Sequence, residues 1–298
     1  MRSPFARDES KRAADLRQAG EAAAAPFGEL VAEAERIAAS VVMGVHGQRR
    51  RGTGETFWEY RHHRAEDGAQ AVDWRMSAKS SELYVRENEQ EAANTVWLWR
   101  DGSATMDFRS SRDLPLKKDR AAVCMIAMAA LLSRGGERIA ALGESARARG
   151  GEMGLERTAI RLGTGPGSLA SVESAPVSRY GRVVLASDFL DPIETWRARL
   201  SRFAALQASG AMLRIIDPME EDFPFRGRTR FEAADDSESL LFGRAEEARK
   251  AYRTRWQEHG DRLADLARSY GWTLVTHRTD RPATQAVLAL HRALARDI

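Results

Sequence analysis

From Asn94 to the C-terminus, short apolar runs alternate with stretches of helical periodicity, and this alternation restricts the fold more than any other feature. VWLWR (96–100), VVLAS (183–187), AMLRII (211–216) and WTLVTH (272–277) have the length and density of strands covered on both faces, and ERIAALG (137–143) reads as a fifth. Helical stretches separate them at 119–134, 151–163, 191–209, 245–270 and from Pro282 onward. In the third of these, Asp191 is expected as N-cap, Pro192 at the first helical position and Glu194 as the partner in a capping box. Ile193, Trp196, Leu200 and Phe203 then share a face, and Gly210 is expected to end the helix. Segment 163–181 reads as a loose connection. The predicted class is α/β: a parallel-type sheet in a three-layer, Rossmann-like arrangement.

The first third of the chain differs. Residues 1–44 read as a polar tail followed by a helix from about Pro26 to Met43, with Leu30, Ala34, Ile37 and Val41 at helical spacing. Residues 45–92 contain alternations such as Thr56–Trp58–Tyr60 and Leu83–Val85, which predict a β-rich subdomain. The α/β domain then occupies 93–298. Its single cysteine, Cys124, lies in an apolar run, so an internal disulfide and a cysteine-based zinc site are both excluded by count. No run reaches the roughly 20 apolar residues of a membrane span, and a reducing, cytoplasmic setting is expected.

Two of the predicted strands empty into an aspartate, Asp101 and Asp188. In an open parallel sheet, ligands bind beyond the carboxyl ends of the strands, so both carboxylates are expected on one rim. Ser103 and Thr105 follow Asp101 at alternate positions. One or two carboxylates with neutral hydroxyls form an oxygen-donor set suited to a hard divalent cation such as Mg²⁺, with water completing the coordination. The competing reading is that each aspartate caps its own turn.

The residues also resemble a known family. Gly52, Gly54, Tyr60, Arg61, Val72, Asp73, Trp74, Ser77, Ala78, Lys79, Leu83, Val85 and Glu87 fall in order on the signature of the domain of unknown function 58 family. Asp101, Ser103 and Thr105 fall on the metal-ion-dependent adhesion motif that follows it, and Asp188 supplies the second acid. Three departures stand out. Glu66-Asp67-Gly68 replaces a Gly-Asp-Asp turn, Thr105 replaces a serine, and the separate threonine of a full site has no counterpart: Thr158 falls inside a predicted helix and Thr164 in a loop.

The resemblance implies a von Willebrand A-like domain that contacts other proteins through a partly degenerate Mg²⁺ site at Asp101, Ser103, Thr105 and Asp188. It further implies a non-enzymatic cytoplasmic adaptor, working with a MoxR-type AAA+ ATPase and a client protein in assembly or maturation. Two other classes compete. A phosphohydrolase would use Asp101 as nucleophile, but Ser103 stands where a general acid is needed. A nucleic-acid-binding protein would use the basic segment 49–64, but Glu55 and Glu59 interrupt it, and 46 basic side chains face 43 acidic ones overall. Gly163-Thr164-Gly165-Pro166-Gly167 lacks the lysine of a phosphate-binding loop.

Overall fold

The computed structural model describes residues 32–41, 57–62, 77, 84–88, 95–143, 148–165, 167–174, 176–232 and 239–295. By contact density the chain divides into two units: His46–Asn94, and Met1–Val45 together with Thr95–Ile298. Described within the smaller unit are strands β1 (Phe57–His62) and β2 (Tyr84–Asn88), an antiparallel pair with an irregular register between Phe57 and Glu59. The glycines Gly52 and Gly54, the Val72–Trp74 element, Ala78, Lys79 and Arg49–Arg51 lie outside the described residues.

The larger unit begins with helix α1 (32–41). It continues through β3 (Thr95–Arg100), α2 (Lys117–Arg134), β4 (Arg138–Ala141), α3 (Gly151–Thr164), α4 (Leu169–Glu173), β5 (Arg182–Ser187), α5 (Ile193–Ala205), β6 (Ser209–Ile216) and α6 (Pro218–Asp222). A two-stranded antiparallel ribbon follows, β7 (Thr229–Glu232) and β8 (Ser239–Phe242). Helix α7 (Ala245–Ser269), strand β9 (Thr273–Arg278) and helix α8 (Ala283–Ala295) complete it.

Five strands form one wholly parallel sheet in the order β4-β3-β5-β6-β9. The continuous apolar runs conceal a period of two. Val96, Leu98, Val184, Ala186, Leu213 and Ile215 pack with α1, α2 and α8, whereas Trp97, Trp99, Val183, Leu185 and Met212 pack with α5 and α7. Both faces are covered, which is why polar residues drop out of the strand interiors. Trp97 and Trp99 are sheet-packing residues, 4% and 2% exposed. Cys124 is fully buried, and desolvation pushes its thiol up to about 12.

Three local expectations are corrected. Pro192, not Asp191, is the N-cap of α5, and no side-chain cap bond forms there. Asp191 instead faces Arg199 at 3.9 Å, and Glu194 reaches Arg262 at 3.2 Å. The same Asp-Pro-x-Glu pattern at 217–220 does form a full capping box: Asp217 accepts from Met219 N–H, and Glu220 accepts from Asp217 N–H at 2.7 Å. Asp217 is fixed from outside its helix as well, by Ser110 N–H at 2.9 Å, a third partner that Asp191 lacks. Gly210 does not end α5, which stops at Ala205. It lies within β6, where a β-carbon would meet Val183 O at 2.3 Å and the Trp272 ring at 2.9 Å. Segment 163–181 is not wholly loose, since α4 forms within it.

Candidate functional site

In a sheet wound this way, chain order reverses direction between β3 and β5, and ligand sites form outside the carboxyl ends of the strands at that crevice. Asp101 directly follows β3 and Asp188 directly follows β5. The two strands pair in parallel, with Arg100 opposite Ala186, and Asp101 N–H extends the ladder to Ala186 O at 2.8 Å. The carboxylates therefore share a rim, as the strand endings predict.

On the β3 side, Asp101 Oδ1 accepts from Ser103 N–H at 2.8 Å, and Oδ2 accepts from the Ser187 hydroxyl at 2.6 Å. Ser103 Oγ and Thr105 Oγ1 are 3.0 Å apart, one hydroxyl donating to the other. A short 3₁₀ turn at Ala104–Met106 sets this spacing, anchored by the fully buried Met106. Asp101 is 2% exposed while both hydroxyls are half-buried, so the charge is sheltered and the neutral donors remain accessible. Burial raises the Asp101 carboxyl above its ordinary range. Hydrogen bonds from Ser187 and Ser103 oppose that shift, and the Asp188 charge adds to it.

Behind the loop, Gly167 adopts φ +58, and a β-carbon there would lie 2.3 Å from Arg100 O and 2.5 Å from Gly102 N. Only glycine allows this approach. Gly167 O accepts Gly102 N–H at 3.1 Å, while Arg100 donates to Leu162 O and Gly165 O, tying the α3–α4 connection to the rim. Thr158 is buried within α3. Thr164 Oγ1 donates to Ile160 O at 2.8 Å.

The β5 side differs from expectation. Asp188 Oδ1 caps its own turn through Leu190 N–H at 3.2 Å. Its Oδ2 accepts from Lys117 Nζ at 2.9 Å, and the same ammonium reaches Glu220 Oε1 at 2.5 Å. Lys117 is fully buried and stands at the first residue of α2, the end of a helix that disfavours a cation. Sequence reasoning missed it, because Lys117-Lys118-Asp119-Arg120 reads as an ordinary solvated helix start. Burial raises the Glu220 carboxyl, and the Lys117 charge opposes the shift. Arg214, 4% exposed and 4.4 Å from the Trp256 ring, lies close enough for the Glu220 and Asp188 charges to support its protonated form against desolvation.

The donor set therefore fits a divalent cation on one side. Asp101, Ser103 and Thr105 suit such an ion, but Asp188 already holds an ammonium. Among the described residues, no three His, Cys, Asp or Glu side chains are grouped to hold a metal.

A cavity of about 810 Å³ adjoins the ion group, and no motif or periodicity announces it. Glu220 and Phe108 are among its lining residues, and Lys117 Nζ stands 5.9 Å from the Phe108 ring. Phe223, Phe231 and Tyr252 form its wall, with Phe223 stacked on Phe231 at 5.7 Å and tilted against Tyr252 at 4.5 Å. Arg230, Glu232 and Arg255 are exposed at its margin. Short aromatic pieces spread over 223–252 build this wall, too scattered to register as a periodic pattern.

The fold and rim define an α/β domain with an acid- and hydroxyl-bearing loop at its switch point. The chain belongs to the family described as "Protein of unknown function DUF58", whose model matches residues 59–262. Uncharacterized proteins of Mycobacterium bovis and Mycobacterium tuberculosis are 28% identical over 246 residues, 77% of this chain and 76% of theirs. Two solved structures are more distant, each 13% identical and each covering 68% of this chain and 99% of its own. They are an aerotolerance-related membrane protein of Bacteroides fragilis, TM-score 0.41, and the conserved hypothetical protein BatB of Bacteroides thetaiotaomicron, TM-score 0.37. Among the described residues, no helix is long and apolar enough to cross a membrane.

Proposed function

We propose that this chain is a non-enzymatic cytoplasmic adaptor with a von Willebrand A-type domain, docking protein partners on the rim formed by Asp101, Ser103, Thr105 and Asp188. The observation that carries the reading is the sheltered Asp101 carboxylate beside two accessible hydroxyls 3.0 Å apart, at the switch point of a parallel sheet. Such a loop presents neutral donors outward and keeps its own charge inside. A divalent ion seated there keeps unsatisfied coordination, and an aspartate or glutamate of a partner supplies the missing ligand. The aromatic cavity beside the rim offers a seat for an apolar side chain of the same partner. The family resemblance supports a MoxR-type AAA+ ATPase as one partner, with a client protein as the other.

Nothing in this reading breaks or forms a covalent bond. Both oxygens of Asp101 already accept hydrogen bonds, and Ser103 offers no acid for a leaving group. The test is capture of a purified MoxR-type ATPase by the full chain, with and without Mg²⁺, repeated for Asp101→Ala. Mg²⁺-dependent capture that is lost in the variant is expected. Equal capture by both proteins overturns the reading. Phosphate release from an aryl phosphate, abolished by the same substitution, replaces it with a hydrolase.

A further inference from the structure

We infer that Lys117 is the resident cation of this rim: its ammonium holds the Asp188 carboxylate that a divalent ion would otherwise claim, and so sets how weakly the site takes metal. The inference rests on the rim proposed above as a cation site, and it concerns this chain alone, without any partner.

Lys117 Nζ is fully buried and lies between Asp188 Oδ2 at 2.9 Å and Glu220 Oε1 at 2.5 Å. A lysine at the start of an 18-residue helix works against the helix dipole, so its position there requires compensation from those carboxylates. Its backbone is fixed as well, Lys117 N–H donating to Phe108 O at 3.0 Å, so the point from which the side chain starts does not move. Both carboxylates are anchored in turn: Asp188 Oδ1 caps its turn and Glu220 Oε2 closes the capping box of α6. The group is thus built around a single positive charge.

A divalent ion bound by Asp101, Ser103 and Thr105 could recruit Asp188 only by displacing that charge or tolerating it nearby. Either alternative weakens binding, because like charges a few ångströms apart repel strongly in a protein interior. Arg100 and Arg214 add to the positive side of the balance. The degeneracy of the site, on this view, arises less from the missing threonine than from an ammonium supplied by the chain itself.

The test is a titration of purified full-length protein with Mn²⁺, read as loss of the free-ion electron paramagnetic resonance signal and repeated in competition with Mg²⁺. Wild type is expected to leave the Mn²⁺ signal unchanged in the sub-millimolar range. Lys117→Met and Lys117→Gln are expected to bind Mn²⁺ at least about tenfold more tightly, and to lose the gain when Asp188→Asn or Asp101→Asn is added. A Lys117 variant that folds only with Mn²⁺ present also supports the inference. Sub-millimolar binding by wild type that depends on Asp188 overturns it, as does equal affinity in wild type and both Lys117 variants. Failure here leaves the adaptor proposal standing on partner capture, and failure of capture leaves this titration unaffected.

Discussion

Replacing Asp188 with Asn keeps the shape of the rim and removes one of the two charges that hold Lys117. The side chains of Lys117 and Asp188 are 0% and 3% exposed, so the interaction is hardly screened by solvent. Breaking a buried pair by deleting one partner costs about 3–5 kcal/mol when the remaining charge is left alone. Here Glu220 remains, 16% exposed at its side chain, so part of the compensation survives. The expected loss for Asp188→Asn is therefore smaller, about 2–3 kcal/mol, or about 5–10 °C in Tm for a unit of this size. Glu220→Gln should cost a similar or smaller amount, and the double variant should reach the full penalty. Lys117→Met combined with Asp188→Asn should recover stability relative to the sum of the single changes, a coupling of at least about 1.5 kcal/mol. Equilibrium urea unfolding followed by tryptophan fluorescence measures wild type, the three single variants (Lys117→Met among them) and the two double variants. Loss of under about 0.5 kcal/mol in Asp188→Asn, with additive double variants, would refute the claim that Lys117 is charge-compensated by this pair.

Other consequences are open to direct measurement. His277 is 4% exposed, and desolvation, reinforced by the Arg120 charge, lowers it from 6.5 to about 4. Its folded value lies below the unfolded one, so stability is lost as pH falls from about 6.5 toward 4. Its contribution between pH 7 and pH 5 is about 2 kcal/mol, seen as that much less acid sensitivity in His277→Asn. Cys124, buried and raised to about 12, should resist a disulfide reagent at pH 8 in the native protein and react within minutes in urea. Gly167→Ala should destabilise by about 1–3 kcal/mol in urea, because the added carbon meets Arg100 O and Gly102 N at the rim itself. The same variant should reduce partner capture, which an alanine substitution in an unconstrained loop would not.

Much of the larger unit was legible because burial on two faces leaves a signal that local chemistry cannot mask. Val183, Val184 and Leu185 are apolar whichever way they point, so β5 announces itself. The aspartates at the ends of β3 and β5 followed from the same logic, since strand ends are fixed once strands are. Capping was less transparent. Asp191 and Asp217 sit in the same Asp-Pro-x-Glu pattern, but only Asp217 gains a partner over a hundred residues away, Ser110, and only it forms the box. Lys117 was invisible for a related reason. Its partners lie 71 and 103 residues distant, and nothing local distinguishes a lysine that will be buried from its neighbour Lys118, which stays partly exposed and pairs with Asp107. The aromatic cavity depends on a strand ribbon and a helix meeting, and Phe223, Phe231 and Tyr252 carry no common period.

Helix α7 touches both the turn after β5 and helix α6 within two of its own turns. Tyr252 donates its hydroxyl to Glu220 O at 2.7 Å, and His259 Nε2 lies 2.7 Å from Phe189 O, one residue beyond Asp188. With 25 residues the helix is a stiff rod about 37 Å long. Two elements pinned to one rod cannot drift apart independently. The segment after β5 and helix α6 are thereby braced against a common strut, so a change at one is resisted at the other.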